Sequence, residues 1–401
     1  MKSLTRYAVL TSFLLGITGT AHADMMFTPL GDLPGGGFSS DARGISADGS
    51  VVVGSSTSGN GPEAFRWVSG SGMSGLGDLP GGAFSSKGMG VSADGSVVAG
   101  YSTNGVGPEA YRWVSGSGMS GMGDWGGGTF ASYADSVSAD GSVVVGTGNH
   151  GGFEAFRWTS GSGMLGLGAL PGADGVSWGT RVSADGSVAV GYGTSGNGTE
   201  AFRWVAGTGM LGLGDLPGGG FGSWAFGVSA DGSVVVGEGT SATGTEAFRW
   251  VSGAEMSGLG DLPGGSYDSH ARSISADGSL VGGWSNTANG DEAFIWDSAN
   301  GMRNLREVLI AGGATGLENW TLSCVRAISP TGQFIAGDGI NPSGDPEAWL
   351  ADMGPPPIPE PSSFLLLALG LLALWLGSMI ARPHSWLRRR GRSHHHPAET
   401  A

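Results

Sequence analysis

The feature that most constrains this chain is the pentapeptide Ser-Ala-Asp-Gly-Ser, which recurs at a nearly constant interval. The intervals are 46, 46, 45, 46 and 46 residues, and the copies begin at Ser46, Ser92, Ser138, Ser183, Ser229 and Ser275. A seventh, degenerate copy begins 54 residues later, at Ser329. A fixed period of this length is typical of stacked or radially arranged supersecondary units. We therefore expect one repeating array rather than two unrelated domains.

Each unit has the pattern of four short strands. In the second unit, Asp94-Gly95 forms a two-residue hairpin loop that tolerates positive φ, and Pro80-Gly81-Gly82 forms a further turn. The predicted strands of this unit span residues 73–79, 88–92, 97–102 and 109–114. Four antiparallel strands in about 40–50 residues are typical of a propeller blade.

The predicted fold class of residues 24–353 is all-β, a seven-bladed β-propeller. Residues 27–33 match residues 73–79, whereas the last unit ends near residues 347–350 without an equivalent strand after it. The first strand of the array can therefore complete the last blade and cover its edge. The alternative is a right-handed β-solenoid, whose coils of about 20–30 residues would require two rungs per unit.

Charge and cysteine content exclude several classes of partner and of stabilisation. The formal net charge is −15, and because both ends are basic, residues 24–361 carry −21. Such a surface repels nucleic acid and anionic lipid and favours cations or neutral ligands, so no nucleic-acid partner is expected. Cys324 is the only cysteine, which rules out an internal disulfide.

Both ends of the chain have the features of export signals. Lys2 and Arg6 precede an apolar run, and Ala21 and Ala23 occupy the −3 and −1 positions of a cleavage site. This pattern predicts a signal peptide over residues 1–23 and passage through the Sec machinery. Residues 354–363 form a Pro-rich linker, residues 364–381 an apolar transmembrane helix and residues 382–401 a basic tail. The basic tail is expected to remain cytoplasmic, with the repeats outside.

The C-terminal segment closely resembles the PEP-CTERM sorting signal of Gram-negative bacteria. Its three elements, Pro359-Glu360-Pro361, the apolar helix and the arginine cluster, stand in the expected order. The resemblance implies recognition by an exosortase after export across the inner membrane. It also implies a place at the cell surface or in the extracellular matrix, together with a secreted exopolysaccharide as an expected partner.

The repeat region resembles the extracellular HAF repeat family, whose units carry a His-Ala-Phe strand, a Leu-Gly-x-Leu-Gly-Gly strand and an Asn/Asp-Gly hairpin. The corresponding segments of the first unit are Glu63-Ala64-Phe65-Arg66-Trp67, Leu76-Gly77-Asp78-Leu79-Pro80-Gly81-Gly82 and Ser46-Ala47-Asp48-Gly49-Ser50. Glutamate stands where the family has histidine, so a metal role of that histidine does not transfer to this chain. No metal and no cofactor is predicted.

The recurring charged residues are assigned to the scaffold. The glutamate of the Glu-Ala-aromatic strand is present in all seven units, and an arginine follows three residues later in five of them. A feature repeated in every unit favours hydrogen bonding within or between blades over a role at one site. The string Gly70-Ser71-Gly72-Met73-Ser74-Gly75 matches a dinucleotide fingerprint but lies between strands, where no helix N-terminus meets a phosphate.

The candidate ligand site comes from positions where the repeat varies. A serine recurs shortly before each hairpin, at Ser40, Ser86, Ser132, Ser177, Ser223, Ser269 and Ser323. The residues that follow it differ in chemistry and are Asp41, Lys87, Tyr133, Trp178, Trp224, His270 and Cys324. In a propeller they would ring the axis on one face, with the aromatic members stacking on a sugar and Asp41, Lys87 and His270 making polar contacts. Neutral variation of exposed loops is the other interpretation.

The sequence thus predicts a secreted, non-enzymatic repeat protein with a structural or adhesive role in an exopolysaccharide or biofilm matrix. The alternative is a polysaccharide-active hydrolase or lyase on a propeller scaffold. That alternative requires clustered acid, base or tyrosine side chains at the axis, and the repeats offer only scattered candidates.

Overall fold

The computed structural model describes residues 24–172 and 175–354. The signal peptide with Ala21 and Ala23, the Pro359-Glu360-Pro361 motif, the apolar segment and the basic tail lie outside these residues. Within them, no helix is long and apolar enough to cross a lipid bilayer. The described part is almost entirely β-strand, which confirms the all-β prediction.

The repeats form seven sheets of four strands each in the described residues, starting after β1 (Met26–Pro29). Sheet 1 comprises β2 (Gly35–Ile45), β3 (Val51–Ser58), β4 (Gly61–Val68) and β5 (Gly72–Gly75). Sheet 2 comprises β6 (Gly81–Val91), β7 (Val97–Asn104), β8 (Pro108–Val114) and β9 (Gly118–Gly121). Sheet 3 comprises β10 (Ser132–Val137), β11 (Val143–Asn149), β12 (Phe153–Thr159) and β13 (Gly163–Gly166).

The second half of the array repeats this order. Sheet 4 comprises β14 (Ser177–Val182), β15 (Val188–Ser195), β16 (Gly198–Val205) and β17 (Gly209–Gly212). Sheet 5 comprises β18 (Gly218–Val228), β19 (Val234–Ser241), β20 (Thr245–Val251) and β21 (Ser257–Gly258). Sheet 6 comprises β22 (Ser269–Ile274), β23 (Val281–Thr287), β24 (Gly290–Asp297) and β25 (Gly301–Asn304), followed by the helix α1 (Leu305–Ala311). Sheet 7 comprises β26 (Thr321–Ile328), β27 (Phe334–Ile340), β28 (Pro346–Asp352) and β1.

Strands pair antiparallel with their neighbours in sequence inside each unit, as in β6 with β7 and β8 with β9. The β-solenoid alternative is therefore wrong, because its rungs would pair in parallel with the next coil. Strand limits differ from the predicted ones at the Pro80-Gly81-Gly82 turn, where β6 already begins at Gly81. Gly81 pairs with Asn104, and the ladder then shifts register before it resumes at Ser86.

The sheets follow one another around a common centre. The first strand of each sheet contacts the first strands of the sheets before and after it, and β26 of sheet 7 contacts β2 of sheet 1. β1 pairs antiparallel with β28, from Met26 opposite Asp352 to Pro29 opposite Trp349. The N-terminal strand thus completes the last sheet, which gives the array a cyclic, propeller-like order.

The core lies between sheets and is built mainly from third strands. Each contributes one aromatic ring with no exposed surface, namely Phe65, Tyr111, Phe156, Phe202, Phe248, Phe294 and Trp349. A glycine on the second strand makes room for this ring. At Gly237, for example, an added Cβ would lie 1.9 Å from the Trp224 carbonyl oxygen and 2.9 Å from the Phe248 ring.

The recurring glutamate and arginine hold the sheets together, as the sequence predicted. In sheet 1 the Glu63 carboxylate accepts a hydrogen bond from Gly77 N–H at 3.0 Å, where the chain leaves the sheet. Arg66 Nε donates to the Gly95 carbonyl of sheet 2 at 3.1 Å. In sheet 7 the same glutamate bond runs from Glu347 to Gly31, 316 residues away, at 2.9 Å.

Candidate functional site

The innermost strands surround a cavity of about 540 Å³. Every one of these strands carries a register shift near its end, so that one residue is left without a partner on the second strand. A bulge of this kind re-aims the extra side chain. The seven extra residues all line the cavity, and we call them the bulge ring: Arg43, Met89, Asp135, Thr180, Phe226, Arg272 and Arg326.

An aromatic wall forms one side of the cavity. The Trp178 ring stacks on Tyr192, with centroids 5.1 Å apart and an interplanar angle of 21°. Phe153 continues the stack on the other side of Trp178 at 6.4 Å and 28°. Tyr133 packs edge-on against Tyr101 at 5.1 Å and also lines the cavity. Such surfaces suit the flat apolar face of a ring-shaped ligand.

Charged side chains gather at the inner end of the cavity. The lining includes four guanidinium groups, from Arg43, Arg181, Arg272 and Arg326, and a single carboxyl group, from Asp135. Burial raises the pKa of Asp135 to about 7, even though Arg181 and Arg43 favour its ionised form. A carboxyl group with such a pKa is partly protonated near neutral pH.

A second, smaller cavity of about 160 Å³ continues beyond the bulge ring. The side chains that line both cavities are Arg43, Met89, Asp135, Arg181 and Arg326. These five therefore form the floor of the larger cavity, which is polar and mostly cationic.

Of the seven candidate residues, the structure brings Tyr133 and Trp178 to the cavity wall. Asp41 instead forms an ion pair with Arg43 at 2.7 Å, so it positions a cavity residue without lining the cavity. Lys87 and Trp224 are half-buried on their strands and do not line the cavity. The bulge explains the difference, because it turns the residue two positions further along the strand toward the axis.

His270 is held in a compact polar cluster beside the cavity. Its ring stacks on Trp284 at 3.9 Å, its Nε2 lies 2.8 Å from the Asp268 carboxylate, and its Nδ1 contacts Glu238. Glu238 also lies 3.3 Å from Arg272. The imidazole nitrogens are both occupied, and His270 acts through Arg272 rather than on a ligand.

Cys324 is buried, and burial raises the pKa of its thiol to about 12. A buried thiol in this state offers no ligand contact, so we withdraw Cys324 from the candidate site. The shared serine also fails in this last unit. Leu322 pairs with Gly339 as Ser40 pairs with Ser56, whereas Ser323 falls in an additional register shift.

The other six serines have a structural role that explains why they recur. Ser86 Oγ donates to the Gly77 carbonyl at 2.6 Å and accepts from Ala64 N–H at 2.9 Å, which joins sheet 2 to sheet 1. Ser40 makes the equivalent bond to Ala348 N–H of sheet 7 at 3.0 Å. These hydroxyls fix the start of each first strand and hence the position of the bulge that follows.

The bulge ring was missed by the sequence analysis, although a signal exists. Its members lie two residues after the predicted ones, are equally diverse and are flanked by small residues, as in Ala42-Arg43-Gly44 and Ala225-Phe226-Gly227. In a regular strand both sets would share one face. The sequence does not reveal which strand position is bulged.

Within the described residues, no group of three or more histidine, cysteine, aspartate or glutamate side chains is arranged to hold a metal ion. The cavity supplies aromatic rings, guanidinium groups and one carboxyl group of raised pKa. This set can stack on a ring, bind an anion and exchange one proton.

Comparisons with known proteins give limited similarity. No protein-family model matches the chain, and no curated protein matches it. Among solved structures, TolB from Acinetobacter baumannii aligns with a TM-score of 0.43 and 15% identity, over 65% of this chain and 60% of that chain. An oligogalacturonate lyase from Vibrio parahaemolyticus aligns with a TM-score of 0.46 and 10% identity, over 77% and 88%. At these values neither similarity bears on the ligand or the activity of this chain.

Proposed function

We propose that this chain is an exported, non-enzymatic seven-bladed β-propeller that binds polysaccharide in its axial cavity. Its role would be structural or adhesive in an exopolysaccharide or biofilm matrix. The Sec machinery and an exosortase would place it at the surface of a Gram-negative cell or in the matrix, with the C-terminal helix in the membrane before processing. The cyclic contacts of the first strands and the pairing of β1 with β28 support the propeller.

The observation that carries the binding role is the stack of Phe153, Trp178 and Tyr192 along one side of the cavity. A sugar ring presents an apolar face that packs well on such rings. A cavity of about 540 Å³ falls within the range of small-ligand sites. The wall belongs to sheets 3 and 4, so it forms only when the two sheets are adjacent.

Trp178→Ala tests the binding role, and Trp224→Ala is its matched control. The two tryptophans occupy the same position in sheets 4 and 5, opposite Tyr192 and Glu238, but only Trp178 lines the cavity. We expect Trp178→Ala to weaken binding to the exopolysaccharide of the producing strain by about tenfold or more. Trp224→Ala should bind as the wild type does. Equal binding by both variants and the wild type would remove the cavity as the ligand site.

Asp135 favours a second candidate function, a polysaccharide-active hydrolase or lyase. A carboxyl group with a pKa of about 7 in a cavity is suited to general acid or base catalysis. Product release from the same polysaccharide, abolished by Asp135→Asn with binding retained, would support this function. Absence of any product under conditions where binding is saturated would leave the non-enzymatic role.

A further inference from the structure

The axial cavity combines an aromatic wall with arginine side chains that retain unused hydrogen-bonding capacity. A guanidinium group carries five N–H donors in a planar fork. Arg181 donates through Nη1 to two backbone carbonyls, those of Asp135 at 3.2 Å and Thr180 at 3.1 Å. In the described part of the chain, no carboxylate oxygen lies within ion-pair distance of Arg181.

The unpaired position of Arg181 is costly in the unliganded protein. Burial lowers the pKa of its guanidinium group, and the nearby Asp135 offsets only part of this effect. A buried cation without an ion-pair partner destabilises the folded state, whereas an anion that enters the cavity would relieve that cost.

Arg272 offers a second anchor on the opposite side of the cavity. Its guanidinium carbon lies 4.2 Å above the centre of the Phe226 ring, and its single carboxylate contact is Glu238 at 3.3 Å, counting described residues. Its Nε is buried and has no hydrogen-bond partner in the structure. A buried donor of this kind is uncommon and is satisfied when a ligand supplies an acceptor.

We propose that the cavity selects an acidic sugar, whose ring packs on Trp178 and Tyr192 while its anionic group is bound by Arg181 and Arg272. This inference rests on the proposed polysaccharide-binding function and names its ligand class. The guanidinium fork matches a carboxylate or a sulfate oxygen pair, and both give short charge-assisted hydrogen bonds. The negative outer surface does not oppose this selection, because the cavity lining has four arginines and one carboxyl group.

The test compares one polysaccharide in chemically matched forms. Calorimetric titration of the mature protein uses the exopolysaccharide of the producing strain as isolated, after reduction of its carboxylates to alcohols, and after removal of its sulfate groups. We expect one of the two treatments to weaken binding at least tenfold and thereby to identify the anion. Undiminished binding after both treatments would overturn the acidic-sugar proposal and leave the proposed function intact. Absence of binding to the untreated polymer would overturn both.

Variants place the anion in the cavity. Arg272→Gln should bind the treated and untreated polymers alike, and Arg272→Lys, which keeps the charge but loses the fork, should recover part of the difference. Arg303→Gln is the control, because Arg303 pairs with Asp297 at 2.5 Å on the outer strands of sheet 6. Circular dichroism identifies any variant that fails to fold, and in that case the treated polymers on the wild type decide the matter alone. A tenfold preference retained in folded Arg272→Gln would contradict the assignment.

Discussion

At the residue scale, most polar side chains that recur in this protein bind backbone rather than ligand. Ser86 joins two sheets through its hydroxyl, and Asp94 accepts from Ser92 Oγ, Ser96 Oγ and Ser96 N–H around its hairpin. These bonds lower the pKa of Asp94 to about 2, because they favour the charged form. The residues left for chemistry are those that do not recur, above all Asp135 and the arginines of the cavity.

Asp135→Asn tests the raised pKa of this carboxyl group. Its pKa is about 7 when folded and near 3.8 when unfolded, so the folded state holds more protons between these values and stability falls as pH rises through that range. The variant should therefore exceed the wild type in unfolding free energy by about 2–4 kcal/mol at pH 8, with the gap narrowing toward pH 4. Urea unfolding at both pH values measures it. The exposed Asp291→Asn serves as the control, and a gap that does not change with pH would refute the shift.

At the element scale, the four-stranded sheet could be predicted in outline from one repeat. The hairpin at Asp94-Gly95 and the strands on either side follow from local chemistry, since Gly95 adopts φ +70°. The glycine of the second strand is set by a tertiary contact, because its neighbour is the aromatic ring of the third strand. The bulge of the first strand is likewise set by pairing, and no residue type marks it.

Gly237→Ala should disrupt the packing inside sheet 5. The added methyl group would collide with the Trp224 carbonyl oxygen at 1.9 Å, which is backbone and cannot move without parting β18 from β19. We expect a loss of about 3 kcal/mol in unfolding free energy by urea denaturation. Gly220→Ala in the same sheet meets no atom within 4 Å and should change stability little. Equal effects of the two variants would show that the close approach is absent.

At the scale of the whole molecule, closure depends on the two ends of the repeat array. In six sheets the alanine of the hairpin motif donates its N–H to the next sheet, as from Ala47 to the Ala93 carbonyl at 2.9 Å. Sheet 7 has Pro330 at this position, and proline has no N–H to donate. The junction of sheets 7 and 1 relies instead on β1 and on the Glu347 bond to Gly31.

Deletion of Met26–Pro29 should therefore weaken the whole array. It removes the ladder to β28 and the Phe27 ring, which packs edge-on against Trp320 at 5.1 Å. We expect the unfolding free energy to fall by at least about 3 kcal/mol and the exposed β28 edge to promote self-association in gel filtration. Met26→Ser, which changes only an exposed side chain of β1, should remain monomeric and stable. A deletion variant as stable as the wild type would show that β1 does not close the array.

The sequence by itself determined the number of units, the four strands of each, the hairpins and the strand that joins the two ends. These features depend on period, turn chemistry and local patterning, all of which can be read along the chain. Only the tertiary structure decided which side chains reach the axis. A bulge at Arg43 or Asp135 is a matter of how two strands align, and the cavity exists only where seven first strands meet. Tyr133 and Trp178 were predicted because they vary, whereas Arg272 and Asp135 became visible only once the strands were paired.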